Sequence, residues 1–259
     1  MTAQLLSTSE GQTLILTLSN PEFRNALGPE MYAAGVEALS VAENSPEVRS
    51  VVITGEGANF CAGGNLQRLL GNREKPREVQ AQSIEGLHNW IEAIRTFPKP
   101  IIAAVEGAAA GAGFSLVLSC DMVVAARDSI FVMAYSSIAL SPDGGGSWGL
   151  SRAVPRQLAA ELMLLGERIG AERLHALGVV NQVVEQGEAL KQALALAERI
   201  NARAPNVMNS IKELINDASV NHLTEHMAQE RNQFVKNLHH PNAGIGIQAF
   251  LRKEAPNYK

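Results

Sequence analysis

Only two cysteines, Cys61 and Cys120, occur in 259 residues, too few and too far apart for a disulfide framework or a zinc site. A reducing, cytoplasmic setting is expected. Basic runs are missing as well: 22 Lys and Arg against 26 Asp and Glu give a net charge of −4. That excludes nucleic acid and an anionic membrane surface as expected partners. No uninterrupted apolar run reaches the length of a bilayer span. The opening MTAQLLSTSEGQ has neither the basic nor the apolar region of a secretory signal. Internal repeats and low-complexity linkers are absent too. What is left is an ordinary globular composition, 46% hydrophobic and 19% charged, long enough to bury a sizeable core.

The pattern that organises the rest is IIAAVEGAAAGAGFSLVLS, residues 101–119. An apolar, β-branched run reads as a buried strand, breaks at Glu106-Gly107, passes through small residues only and restarts as an apolar helix near Gly111. Such a turn aims bare N–H groups and the positive end of a helix dipole at one point. A tight packing joint between strand and helix explains the same residues. Further strands are expected at 13–19, 50–54, 122–126, 130–133 and 179–184. Helices are expected from Pro29 to about Ser40, from near Leu66, over 79–96, around 148–154 and over 157–165. After Glu188 the chain reads as helical throughout. The charged NREKPRE looks like a mobile surface loop. The order is alternating β and α, then a helical tail: an α/β core over residues 1–195 and a helical region over 196–259.

Two glycine-rich turns follow buried strands, 55–65 and 107–113. Neither is a dinucleotide fingerprint, because Leu116 and Phe60 stand where the third glycine belongs, and no Walker lysine is present. One N–H from each turn, converging on one oxygen, would make an oxyanion hole. Gly145–Gly149 (GGSWG) matches the nucleophile elbow of hydrolases and puts Ser147 forward. That elbow needs a strand directly before the serine, and Ser141-Pro142-Asp143-Gly144 is a poor one. His222-Leu223-Thr224-Glu225-His226 matches an inverted zinc-peptidase pattern, yet in a polar tail it suits a solvated helix face better. No metal site is expected. Asp143, between Pro142 and three glycines, is either an ordinary turn residue or the site's acid.

NFCAGGNL followed by KPIIAAVEGAAAGAGFSLVLSCDMVVAA, with PEFRNAL upstream and AFLRKEAPNYK at the end, closely resembles the crotonase (enoyl-CoA hydratase/isomerase) superfamily over essentially the whole chain. The resemblance implies a ClpP-like spiral of ββα units with a C-terminal helical trimerisation region, assembled as trimers or dimers of trimers. It implies acyl-CoA thioester substrates, with coenzyme A as part of the substrate and no separate cofactor. The thioester oxygen would be held by the N–H groups of Gly64 and Ala112. The CoA portion would run past Arg24, Ala26, Ala62 and Leu66, and Gly63, Asn65 and Gly111 are expected among the residues that bind the substrate. Phe250 or Lys253 would touch the adenine, often across a subunit boundary.

The acids depart from the hydratase pattern. Hydratases of the family use two glutamates, and the matching positions here are Ser115 and Tyr135. Asp143 resembles the single carboxylate of the enoyl-CoA isomerase branch, and PDGGGSW the epoxyphenylacetyl-CoA isomerase group. The nucleophilic aspartate of 4-chlorobenzoyl-CoA dehalogenase occupies that place as well. The resemblance therefore implies an isomerase with Asp143 as its partly desolvated base, Tyr135 orienting acid or acyl chain, and Ser115 in a steric role. Enoyl-CoA hydratase is the alternative. A Ser147 hydrolase and a non-catalytic acyl-CoA-binding trimer are the readings from other classes.

Overall fold

The structure, a computed structural model, describes residues 3–258. Its main sheet has six strands: β1 (Gln4–Glu10), β2 (Thr13–Ser19), β3 (Ser50–Gly55), β4 (Ile101–Val105), β6 (Met122–Ala126) and β9 (Gln182–Val184), in the order β1-β2-β3-β4-β6-β9. All neighbours are parallel except the β1–β2 hairpin at the edge. A smaller sheet, in the order β5-β7-β8, is made by β5 (Ala108–Ala110), β7 (Ile130–Val132) and β8 (Arg168–Gly170).

The chain alternates between the two sheets. β4 passes into β5 and then helix α4 (Ala112–Ser119), and β6 passes into β7. Earlier turns of the spiral repeat this with single bridges, Cys61 to Ala109 and Leu27 to Gly64. Continuous runs of small and branched apolar residues make this possible, because β4 is buried at every position and β3 at all but its last.

Helices α1 (Pro29–Asn44) and α3 (Arg77–Thr96) pack together on one side of the main sheet, with Leu16, Ile53, Trp90 and Ile94 in a common core. On the other side, α8 (Ala189–Asn201) lays Ala189, Ala193 and Ala197 against Val52, Ile102 and Val124. A boundary between residues 195 and 196 therefore falls inside α8, whose buried alanines belong to the sheet. The tail beyond it comprises α9 (Pro205–Asp217), α10 (Leu223–Leu238) and α11 (Pro241–Arg252). Lys212 ties α9 to the core, donating to Ile94 O at 3.1 Å, Lys99 O at 3.2 Å and Asp121 Oδ2 at 2.7 Å.

Several expectations need correction. The N-terminal stretch is a strand, β1, although its side chains are mostly exposed and show no apolar alternation. Residues 108–110, expected to be part of a turn, form β5, because small residues suffice where the backbone pairs with β7. NREKPRE is not a loop as a whole: α2 (Leu66–Asn72) ends on its first residue and α3 takes its last two, Arg77 and Glu78, leaving four residues between two helices. β8 and α7 (Ala171–Ala176) went unread, as each is shorter than a recognisable period.

Candidate active site

The two glycine turns are stitched together by backbone hydrogen bonds. Cys61 N–H donates to Ala108 O at 2.9 Å, and Ala110 N–H donates back to Cys61 O at 2.8 Å. Two glycines make the approach possible. A methyl on Gly113 would lie 2.5 Å from Cys61 O, and one on Gly63 (φ +92°) would lie 2.7 Å from Ala110 O and 3.4 Å from Ala112 N. Gly64 and Ala112 therefore sit on adjoining turns. Among the described residues neither of their N–H groups has an acceptor in the protein. Ala112 is the first residue of α4, and Gly64, bridged to Leu27, precedes Asn65, which caps α2 by accepting Arg68 N–H at 3.0 Å. Two unclaimed N–H donors, one at the start of α4 and one in the turn before α2, can receive a developing oxyanion.

The acid side is built from α4 and the loop before α5 (Gly146–Ala153). Asp143 is half-buried, and its Oδ1 accepts a hydrogen bond from Tyr135 OH at 2.6 Å. Burial, with the facing Asp143 carboxylate, pushes the Tyr135 phenol well above its ordinary range, so it remains a donor. Tyr135 also covers the turn before α4, since a methyl on Gly111 would lie 3.7 Å from its ring. Ser115, expected to act sterically, instead pins the loop, donating from Oγ to the main-chain O of Asp143 at 3.0 Å. Gly146 leaves room for that hydroxyl, as a methyl there would lie 2.5 Å from Ser115 Oγ.

Other candidates separate from this group. Ser147 is exposed in the first turn of α5, and no strand precedes it. Within the H-x-x-E-H stretch, His222 caps α10 and its N–H donates to Glu225 at 3.4 Å. Cys61 carries a thiol pushed up to about 12 by burial, and Gly63 N–H donates to its sulfur at 3.3 Å. It stays a thiol and is no nucleophile. Phe250 and Lys253 are exposed at the end of α11. Arg24 is exposed, and its carbonyl accepts Ala62 N–H at 2.9 Å, while Ala26 is buried and Leu66 exposed at the start of α2. A cleft of about 970 Å³ between the β1–β2 turn, α8 and residues 256–258 contains none of these residues.

Asn25 was not singled out by sequence. It is wholly buried with φ +58°, and its Nδ2 donates to Glu56 O at 2.9 Å and Asn59 O at 2.7 Å, while Oδ1 accepts Asn20 N–H at 3.0 Å. It clamps the PEFRNAL loop to the first glycine turn, where Leu27 N–H holds Gly63 O at 2.7 Å. Asn25→Ala is expected to lose about 1–3 kcal/mol of stability, because it leaves the buried Asn20 N–H without its acceptor and the carbonyls of Glu56 and Asn59 without their donor. Turnover per folded molecule should fall with it as the Gly64 N–H loses its register. Thermal unfolding alongside steady-state kinetics checks both; unchanged kcat would show that the clamp does not position the turn.

The family model for enoyl-CoA hydratase/isomerase matches residues 8–259. The chain is 36% identical to the 1,2-epoxyphenylacetyl-CoA isomerase of Escherichia coli K12 over 98% of this chain and 97% of that one. It is 33% identical to enoyl-CoA hydratase EchA19 of Mycobacterium tuberculosis, covering 96% of this chain and 94% of that one. A crystal structure of an enoyl-CoA hydratase from Polaromonas sp. JS666 superimposes with a TM-score of 0.98 at 69% identity, over 99% of this chain and 100% of the other. Taken with the spiral of paired sheets, these matches show that the chain belongs to the crotonase, or enoyl-CoA hydratase/isomerase, superfamily.

Proposed function

We propose that this acyl-CoA enzyme moves a carbon–carbon double bond along an enoyl-CoA thioester, with Asp143 as its single base. The observation that carries the reading is the hydrogen bond from Tyr135 OH to Asp143 Oδ1. It joins the carboxylate to a phenol at a position where hydratases of the family have a glutamate. The thioester oxygen lies against the N–H groups of Gly64 and Ala112. Asp143 takes a proton allylic to the double bond, and the electron pair moves into a dienolate whose negative oxygen the two N–H groups stabilise. The same carboxyl returns the proton at another carbon on the same face. Tyr135 holds Oδ1 and leaves Oδ2 to meet the substrate, and Ser115 fixes the loop from behind.

Water addition is the competing chemistry, favoured by the hydratase names of the Mycobacterium and Polaromonas relatives. It needs a second base to activate water. Ser115 is a poor one, with its hydroxyl committed to a carbonyl, and the raised Tyr135 phenol does not ionise near neutrality. Mass-resolved products from 3-enoyl-CoA and 2-enoyl-CoA decide between the two. A conjugation shift at constant mass supports the isomerase; gain of one water overturns it.

Assembly as a trimer or dimer of trimers belongs to the same proposal. Helices α9–α11 leave Ile215, Leu223, Phe234, Phe250 and Leu251 between 68% and 83% exposed, more large apolar surface than a lone chain usually shows. Phe250 and Lys253 would then meet the adenine of a neighbouring subunit's ligand. Sedimentation should give the mass of three or six chains; a monomer would refute the assembly. Both cysteines are free, which suits a reducing compartment, and among the described residues no helix is long and apolar enough to cross a membrane.

A further inference from the structure

Arg68 is a cation that the isomerisation does not use. It stands in the first turn of α2, and its side chain reaches away from that helix towards α3. Nη1 donates to Ser83 Oγ at 2.8 Å, and the guanidinium charge acts on the phenol of Tyr32 on α1, holding it lower than burial alone would. Nε is closed off from water and has no hydrogen-bond partner. Among the described residues, the ion pairs found join other cations, and none sets a carboxylate against Arg68. A guanidinium offers five N–H donors, and the Ser83 contact of this half-buried group uses a single one of them.

Its place relative to the base follows from one face of α3. Ser83, which holds Arg68, and Leu87 are four residues apart, hence neighbours on that face, about 6 Å along the helix. Gly86, beside them, packs on Tyr32: a methyl there would lie 3.4 Å from the ring. Leu87 Cδ2 in turn would lie 3.2 Å from a methyl on Gly144, the residue after Asp143. Arg68 and the loop that carries the base therefore meet the same face of α3, at positions one helical turn apart. The Tyr32 phenol senses both groups; burial pushes it up to about 12, Arg68 opposes the shift and Asp143 adds to it.

A hydrocarbon tail gains nothing from this cation. A carboxylate does, because a guanidinium edge offers parallel N–H donors that match its two oxygens. Coenzyme A phosphates suit exposed cations such as Arg24; a half-buried one beside the base's loop suits an acid on the acyl chain. We propose that Arg68 selects acyl-CoA thioesters whose acyl chain ends in a carboxylate, that is, short dicarboxylic mono-CoA thioesters. The proposal rests on the acyl-CoA reading of the site, but not on the direction of the chemistry.

Calorimetric titration with two saturated, unreactive ligands, adipoyl-CoA and hexanoyl-CoA, tests it on the intact protein and on Arg68→Met. The wild type should bind adipoyl-CoA tighter by about tenfold or more, the usual worth of a hydrogen-bonded charge pair. In Arg68→Met that preference should vanish while hexanoyl-CoA affinity stays. Equal affinities in the wild type overturn the proposal even where the variant does not fold, and so does a preference that survives in Arg68→Met. Failure of both ligands to bind refutes the acyl-CoA reading and the proposal together. Preferential binding without any isomerisation of a 3-enoyl-CoA removes only the isomerase chemistry and leaves the selectivity of Arg68 standing.

Discussion

Asp143→Asn is expected to lower kcat for 3-enoyl-CoA isomerisation by about 10²–10⁴-fold, the usual contribution of a positioned general base. The amide has nearly the shape of the carboxylate. Its oxygen still accepts from Tyr135 OH, and Ser115 holds the main-chain carbonyl of residue 143, which the substitution leaves untouched. The variant should therefore fold, and it should bind substrate with KM little changed. What disappears is the capacity to accept and return a proton, so the loss belongs to the chemical step. Steady-state kinetics with product mass analysis on both proteins is the measurement. Isomerisation that continues in the variant at more than a tenth of the wild-type rate would mean that another group is the base. Hydration that persists would mean that water is activated without Asp143.

The sequence carried the backbone turns far better than the side-chain contacts. Strand, small-residue turn and helix over 101–119 were legible because a glycine-rich joint between two apolar runs allows few alternatives. The structure adds β5 inside that joint, hidden because three alanines carry no alternation. β1 was hidden for the opposite reason: its exposed LLSTSE has no apolar period, and pairing with β2 alone makes it a strand. At the site, Asp143 and Tyr135 stood out by resemblance, but the bond between them spans the turn Ser136–Ile138 and the PDGGG loop, whose path no local pattern specifies. Asn25 carried one faint signal, an Asn in the Arg-Asn-Ala loop able to take positive φ. Arg68 had none, because on α2 it looks like any surface arginine until α1 and α3 close over it.

Ala112→Pro is expected to cut kcat/KM by about 10²–10³-fold, the loss seen when one oxyanion donor is removed. Proline is a selective probe at this position. Ala112 is the first residue of α4, with Gly111 as its cap, and proline is well tolerated there because that N–H has no partner within the helix. The residue before a proline must be extended. Gly111, at φ +51° and ψ −122°, is in the mirror image of an extended conformation, which glycine alone adopts freely. Helix α4 should survive, and the variant should unfold within a few degrees of the wild type. Ala112→Gly, which keeps the N–H, should retain nearly full activity. Wild-type turnover by Ala112→Pro would exclude this amide from the reaction. The two variants also interact in a definite way. In the proposed reaction the base creates the enolate charge and the amide stabilises it, so in Asp143→Asn little enolate should remain for the amide to act on. Adding Ala112→Pro to Asp143→Asn should then cost far less than it does in the wild type, as expected when two groups serve one transition state. Full additivity of the two losses would show that Asp143 and the Ala112 N–H act on separate steps.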